Sequence, residues 1–418
     1  MSAQQKPGQQ GVSDESAAEI HWQEYRINLH RSLDNIATEW DSLSSTNIFL
    51  SSAYLRALHA APPENMRFWY LTVWKEDRLV GIVFTQLDKF RAKSSISYHR
   101  DDQETKVSPG LWTRIRNAVA ARVEFTTLLC GNSLVTGSHG FVFINDVPRE
   151  VCWGIVDHIL HQLAKVLRAR QGIRVRLLFV KDFFKPALKA FYMNTQTRVY
   201  HGFHAQPNMI FHVLPGWKTF DDYIGALNSK YRVRVRRAFK KSKGVVKREL
   251  EVDDLVRYKD KIIKYYHDIA DNASFNLFSL NPDYFISVKT HLGELYKIYG
   301  YFAEDQLIAF YSLMINGDEI EAHFLGYEED VNKEKQLYLN MLLDMIALGI
   351  DLRVERIIFG RTAMEIKSSV GAEPYHVHFY LQYQNALINR MVPLVYGMLE
   401  PDVHWVQRKP FKSITCND

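Results

Sequence analysis

Two stretches of the second half hold side chains of the right type and spacing for proton transfer and anion binding. The first is Asp318–Leu325. Read as a regular strand, it puts Glu319, Glu321 and His323 on one face and Ile320, Ala322 and Phe324 on the other. A carboxylate and an imidazole at neighbouring same-face positions are equipped to take a proton from an amine nucleophile, so Glu321 and His323 are candidate catalytic residues. The competing reading is a polar strand face turned to solvent. The second stretch is Phe359-Gly360-Arg361-Thr362-Ala363-Met364-Glu365. Thr362 with Glu365 has capping-box spacing, which predicts a helix opening just past a buried strand. Helix starts attract anions, Gly360 permits close approach, Arg361 adds a guanidinium and Lys367 follows within the helix. These four positions, Gly360, Arg361, Thr362 and Lys367, are candidate substrate or donor contacts. The plainer alternative is ordinary capping with Arg361 on the surface.

A third feature is one of charge. The net charge of +5 conceals the segment Asn228–Arg248, which carries ten Lys or Arg and no acid; the rest of the chain therefore sums to +5 − 10 = −5. Tyr223, Leu227, Tyr231, Val235 and Phe239 recur every four residues and predict one helix over Thr219–Lys243 with an apolar stripe. Arg236 and Lys240 fall off that stripe, as candidate contacts to an anionic ligand. A solvated helix face is the alternative. Thr219 and Asp222 have capping-box spacing at its start.

The elements that position these groups follow from pattern. A chain of 418 residues with 47% hydrophobic residues can bury a sizeable core, and its length suggests two domains. Cys130, Cys152 and Cys416 share no short spacing, and His376 and His378 lack a convincing third ligand, so no disulfide scaffold or metal site is indicated. The first residues lack the apolar core of a secretory signal, and no run is long and apolar enough for a membrane span, which together give an expected cytoplasmic location. Residues 1–21 read as a flexible tail, 22–215 as a first domain and 216–418 as a second, with Pro215-Gly216 at the boundary.

The two halves repeat. Trp74-Lys-Glu-Asp-Arg-Leu-Val-Gly81 parallels Phe302-Ala-Glu-Asp-Gln-Leu-Ile-Ala309, each a strand, an acidic turn and a return strand. Arg174–Val180, with a helix opening at Asp182, parallels Arg356–Phe359 with a helix from Thr362. Antiparallel hairpins followed by a strand–helix–strand crossover predict α/β domains with mixed, mainly antiparallel sheets. No GxGxxG or GxxxxGK[ST] occurs.

This order of elements, together with Phe359–Pro374 (FGRTAMEIKSSVGAEP) and the basic segment after Phe220–Lys241, resembles the Fem-like branch of the GNAT-type acyltransferases, which carry two GNAT domains in tandem. The resemblance spans about residues 25–400. It implies acyl or aminoacyl transfer from an activated carrier to an amine acceptor, a small molecule or an envelope precursor. It also implies a degenerate first domain and a live second one. Acyl-CoA and aminoacyl-tRNA are the possible donors, with no permanently bound cofactor. The superfamily's glycine loop for the coenzyme A pyrophosphate should precede the helix near Gln336, but Lys333–Met341 contains no glycine. A rival reading of the same chain is a non-catalytic module presenting the basic helix to envelope glycan, lipid head groups or nucleic acid.

Overall fold

The computed structural model describes residues 19–91, 124–183, 200–204, 206–270, 278–399 and 405–412. Of the expected tail, residues 1–18 lie outside the described residues, whereas Glu19–Trp22 already form a strand. The first half contains β1 (Glu19–Trp22), β2 (Tyr25–His30), α1 (Ala37–Ser44), α2 (Ser52–Ala60), β3 (Arg67–Lys75), β4 (Arg78–Arg91), β5 (Glu124–Cys130), β6 (Phe141–Phe143), α3 (Arg149–Gln171), β7 (Val175–Phe183), β8 (His201–His204) and β9 (Asn208–His212). The second half opens with α4 (Phe220–Ala226), α5 (Ser229–Lys241), β10 (Val246–Glu249), α6 (Val252–Arg257), α7 (Lys259–Ala270) and α8 (Tyr284–Leu292). It continues with β11 (Tyr296–Ala303), β12 (Gln306–Asn316), β13 (Glu319–Tyr327), α9 (Glu329–Lys335), α10 (Leu337–Asp351), β14 (Arg356–Ile358), α11 (Met364–Ser369), β15 (Glu373–Tyr375), β16 (His378–Tyr383), α12 (Ala386–Asn389) and α13 (Val392–Leu399). Among the described residues, no helix is long and apolar enough to cross a membrane.

The repeat is visible in the hairpins. Glu304 and Asp305 both take left-handed backbone (φ 49° and 58°), the primed geometry that joins twisted antiparallel strands tightly. Glu76 at the equivalent turn has φ 53°. Both hairpins slip register at the same place, between Val73 and Trp74 and between Tyr301 and Phe302. The crossover helices follow each hairpin. In α3, Gly172 adopts φ 67° after the last turn and its amide is taken by the Arg168 and Leu167 carbonyls. That left-handed cap favours a glycine, and it ends the helix just past its last buried apolar residue, Leu167.

Two mixed sheets result. The first runs β1-β2-β3-β4-β5-β7-β16-β8, with β6 also on β4; the second runs β10-β11-β12-β13-β14-β9-β15. All pairs are antiparallel except β5–β7 and β13–β14, the two crossover pairs. Neither sheet is confined to one half of the chain. β9 precedes Pro215 yet lies beside β14 in the second sheet, and β16 follows it yet lies beside β7 in the first. The exchange is reciprocal, since β16 and β9 occupy equivalent positions and β8 and β15 close the two edges.

Burial reinforces the exchange. One face of the first sheet packs on α3, and one face of the second on α4, α5 and α10. The remaining core is common property: Tyr54 and Leu58 of α2 and Phe84 of β4 join Tyr284 and Phe285 of α8 and Phe310 of β12 in one apolar cluster.

Two local expectations change. The helix over Thr219–Lys243 is broken at Leu227–Asn228, because the segment around Phe411 pairs there. The Asn228 amide donates to the Pro410 carbonyl at 2.8 Å, and its side chain donates to Phe411 O at 2.9 Å. The break shifts the stripe, so Ala238 is buried and Phe239 is 43% exposed. The helix expected from Asp182 is absent at that point, since β7 runs on to Phe183; residues 184–199 lie outside the described residues.

The exchange makes a prediction about cooperativity. Tyr380 of β16 is fully buried against Trp153 and Phe183 of the first lobe. Tyr380→Ala should cost about 3–5 kcal/mol, the range for emptying a buried aromatic site. Far-ultraviolet dichroism and tryptophan fluorescence should lose both lobes in one denaturant transition. Two separated transitions would show that the lobes fold independently.

Candidate functional site

The two crossover pairs differ. In the first lobe β5 and β7 stay paired up to Cys130 and Val180. Beyond them the buried Lys181 amine donates to the Asn132 and Val135 carbonyls at 2.7 Å each, which ties the strand exit down. In the second lobe, β13 and β14 pair only over Glu319–Glu321 and Arg356–Ile358. The Arg356 guanidinium grips Glu319, with Nε at 2.6 Å, and holds the closed end together. From Ala322 onward β13 pairs only with β12, so its other edge is unpaired in the sheet. The opening therefore begins at the rung of Glu321.

Glu321 shares that rung with Ile358 and Ile210, its partners across β14 and β9. Ile320, Ile357 and Phe211 one residue away pack on the outer core with α10, so Glu321 faces the first lobe. It is 5% exposed, and burial pushes its carboxyl up to about 8, with Glu319 adding to the shift. The first lobe meets it with His139, whose Nε2 lies 3.8 Å from the carboxylate. Asn47 fixes that ring through Nδ1 at 3.0 Å, and Asn316 donates to Glu321 at 3.4 Å. The Asn316 side-chain oxygen in turn accepts the amide of Ile48 at 2.9 Å, so both lobes build the surroundings of one carboxyl.

His323 occupies a different setting. β13 bulges opposite Ser312, whose hydroxyl donates to the Phe324 carbonyl at 3.0 Å and accepts its amide at 3.1 Å. A bulge inserts an unpaired residue and breaks strict alternation. Phe324 consequently joins His323 on the interlobe face, with ring centroids 4.1 Å apart, and Leu325 takes the outer face instead. The alternation that assigned Phe324 to the face opposite His323 fails here. His323 Nε2 meets the Tyr284 hydroxyl at 2.7 Å; Tyr284 meets Tyr54 at 3.4 Å, and Asn132 donates to Tyr54 at 3.1 Å. Asn132 can only donate through that nitrogen, so the Tyr54 hydroxyl accepts at the first-lobe end of a chain that continues through Tyr284 to His323. Nδ1 is sealed from solvent, and burial lowers the imidazole to about 3. Such a ring stays neutral, with the Tyr284 hydroxyl as the partner of Nε2.

The anion site expected beyond β14 also differs. The helix cap is Ala363, at φ 52°, and not Thr362; α11 has only six residues, and the Thr362–Glu365 capping box does not form. Thr362 is exposed, and Glu365 pairs with Arg408, Nε at 3.0 Å. Lys367 is buried and donates to the Gly360 carbonyl at 3.3 Å, and desolvation lowers its amine to about 7. Gly360, at φ +79°, is where the chain turns, and its carbonyl also accepts the Met209 amide. Lys367 thus braces the turn that carries Arg361, a partly buried residue three positions beyond the partner of Glu321.

At the start of α10, where a pyrophosphate loop would lie, the chain forms α9 instead and then turns at Gln336 with φ 54°. The Tyr338 amide is taken by the Asn332 side chain at 2.9 Å. One of the first amides that a pyrophosphate would use is therefore occupied from within. On the outer face, Arg236 and Lys240 are exposed, as the stripe required.

His139, Asn47, Tyr54, Asn132, Tyr284 and Asn316 were not singled out by sequence. They are scattered over both halves and share no spacing that a reading of the sequence could use.

The buried carboxyl predicts a pH signature. Its folded pKa, about 8, lies above the ordinary 4.5, so the folded state holds a proton that the unfolded state has lost between those values. This contribution is complete below pH 4.5 and is lost as pH rises towards 8. The stability of Glu321→Gln relative to wild type should therefore increase across that window in urea titrations. A difference that stays flat with pH would mean an ordinary, solvated carboxylate.

No protein-family model matches the sequence, and no curated protein matches it significantly. Solved structures do. The crystal structure of FemX is 9% identical with a TM-score of 0.48, covering 87% of this chain and 98% of that one. A tandem GNAT protein from the clavulanic acid biosynthesis pathway is 9% identical with a TM-score of 0.46, covering 87% and 99%. The C-terminal domain of a putative lysylphosphatidylglycerol synthetase from Agrobacterium fabrum is 10% identical with a TM-score of 0.39, covering 67% and 84%.

Proposed function

We propose that the chain is an N-acyltransferase, moving an acyl or aminoacyl group from an activated carrier to an amine at the open end of β13 and β14. The observation that carries this reading is Glu321: a buried carboxyl with a raised pKa, at the rung where the parallel pair opens, facing the other lobe. Buried acids poised near neutral pH at a strand opening are a recurrent mark of proton-transfer sites.

In the proposed reaction the acceptor amine attacks the carbonyl carbon of the donor ester or thioester. The Glu321 carboxylate takes the proton released from nitrogen. Amides of the unpaired β13 edge stabilise the tetrahedral oxyanion, which is the largest gain such a site offers. Collapse breaks the carbon–oxygen or carbon–sulfur bond, and the leaving group takes the proton back from Glu321. His323 acts as a positioning residue, fixing the bulge from beneath through Tyr284. Arg361 is the proposed donor contact, on the turn that Gly360 forms and Lys367 braces, with Thr362 exposed beside it. The amide occupied by Asn332 argues against a coenzyme A pyrophosphate held in the superfamily's usual way, which favours an aminoacyl ester such as aminoacyl-tRNA over acyl-CoA.

The test is turnover with an acyl-CoA panel and with charged tRNA, against amine acceptors including envelope precursors. Once a donor is found, Glu321→Gln should lower kcat by about 10²–10⁴-fold. The wild-type rate should rise with pH towards about 8 as the carboxylate forms. Arg361→Ala should act mainly on the donor KM. Wild-type kcat in Glu321→Gln would place the chemistry elsewhere.

A further inference from the structure

The outer face of α5 is not used by the site just described. Lys230, Arg234, Arg236, Arg237 and Lys240, with Lys243 in the turn just past its end, are all exposed. Among the described residues none of the six forms an ion pair, and α5 contains no acid. The neighbouring cations differ: Lys247 pairs with Asp344 at 3.1 Å and Arg248 with Asp254 at 2.8 Å. Six cations without an acidic partner form a concentrated positive field that attracts anions.

The apolar residues within that field distinguish the possible counterparts. Helical spacing puts Val233 on the outermost line of α5, between Arg236, Arg237, Lys240 and Lys230, and it is 59% exposed. Val246, just beyond the turn that ends the helix, is 63% exposed. Single-stranded nucleic acid is held by exposed aromatic platforms beside the cations. Here Tyr231 is partly buried and Phe239, 43% exposed, leans back on Phe220 at 6.1 Å, so a single ring stands at the margin of the cationic face and aliphatic Val233 occupies its middle. Aliphatic groups ringed by Lys and Arg suit a surface that is anionic outside and apolar just beneath.

We propose that α5 is a docking face for an anionic phospholipid bilayer, with the cations on the lipid phosphates and Val233 and Val246 entering the headgroup layer. Binding of this kind is reversible, since the helix is anchored in the outer core by Val235 and Ala238 and buries little apolar surface in the lipid. It would bring the protein to acceptors presented at a membrane surface, and it does not depend on the acyl-transfer reading.

The test is flotation of the full chain with vesicles of phosphatidylglycerol mixed with phosphatidylcholine, and with phosphatidylcholine alone. The chain should float with the anionic vesicles only, less so as salt rises. Each cation near such a surface is worth about fivefold in affinity, so Arg236→Ala, Arg237→Ala and Lys240→Ala together should lower binding at least tenfold. The charge-keeping pair Arg236→Lys and Arg237→Lys should retain it, which separates lost charge from lost folding. Val233→Ser should weaken vesicle binding further. Failure to float with anionic vesicles at low salt, or flotation unchanged by the triple variant, would overturn the proposal. So would bulk tRNA outcompeting the vesicles with Val233→Ser unaffected, which would assign the face to nucleic acid.

Discussion

The reciprocal exchange of β9 and β16 is the constraint on which the rest of the structure depends. Each sheet is completed by a strand from the other half of the chain, so neither lobe can satisfy its hydrogen bonds alone. The chain crosses between the lobes after β8 and back after β15, and these crossings hold the faces with Tyr54 and Tyr284 against each other. Because that contact is a shared core and not a surface, polar groups trapped in it must find partners across it. Glu321 with His139, and His323 with Tyr284 and Tyr54, are the results.

Only one of the two crossover pairs opens, for local reasons. In the first lobe the strands stay together to the end and Lys181 seals the exit. In the second, Arg356 and Glu319 fix the closed end and the Ser312 bulge turns the far half of β13 aside. The first lobe thus supplies a wall carrying His139 and Asn47, and the second supplies the opening.

Much of the fold was legible in the sequence, for identifiable reasons. The acidic turns at Glu76 and Glu304 are local signals, and local signals survive folding; so are the amphipathic period of α3 and the Thr219–Asp222 cap. What the residues could not reveal was long-range. Nothing in Asn208–His212 says that it pairs with β14 and not with its own half. The break at Asn228 comes from Phe411, far along the chain. Glu321 stood out as a carboxylate on a strand beside His323, but the bulge, a property of pairing with Ser312, set His323 against Tyr284 and Phe324 and left Glu321 at the rung where the β14 pairing ends. The Thr362–Glu365 spacing matched a cap, yet Glu365 is held by Arg408 and the turn is set by Gly360 and Lys367.

The account rests on Glu321 being a carboxyl enclosed by both lobes. Carbon-13 NMR of the side-chain carboxyls, with the Glu321 signal assigned by its loss in Glu321→Gln, reads this directly. The signal should titrate with a midpoint about 8, far above an ordinary glutamate. A midpoint at the ordinary 4.5 would mean that water reaches this carboxyl freely, and would contradict the enclosed site at the meeting of the lobes.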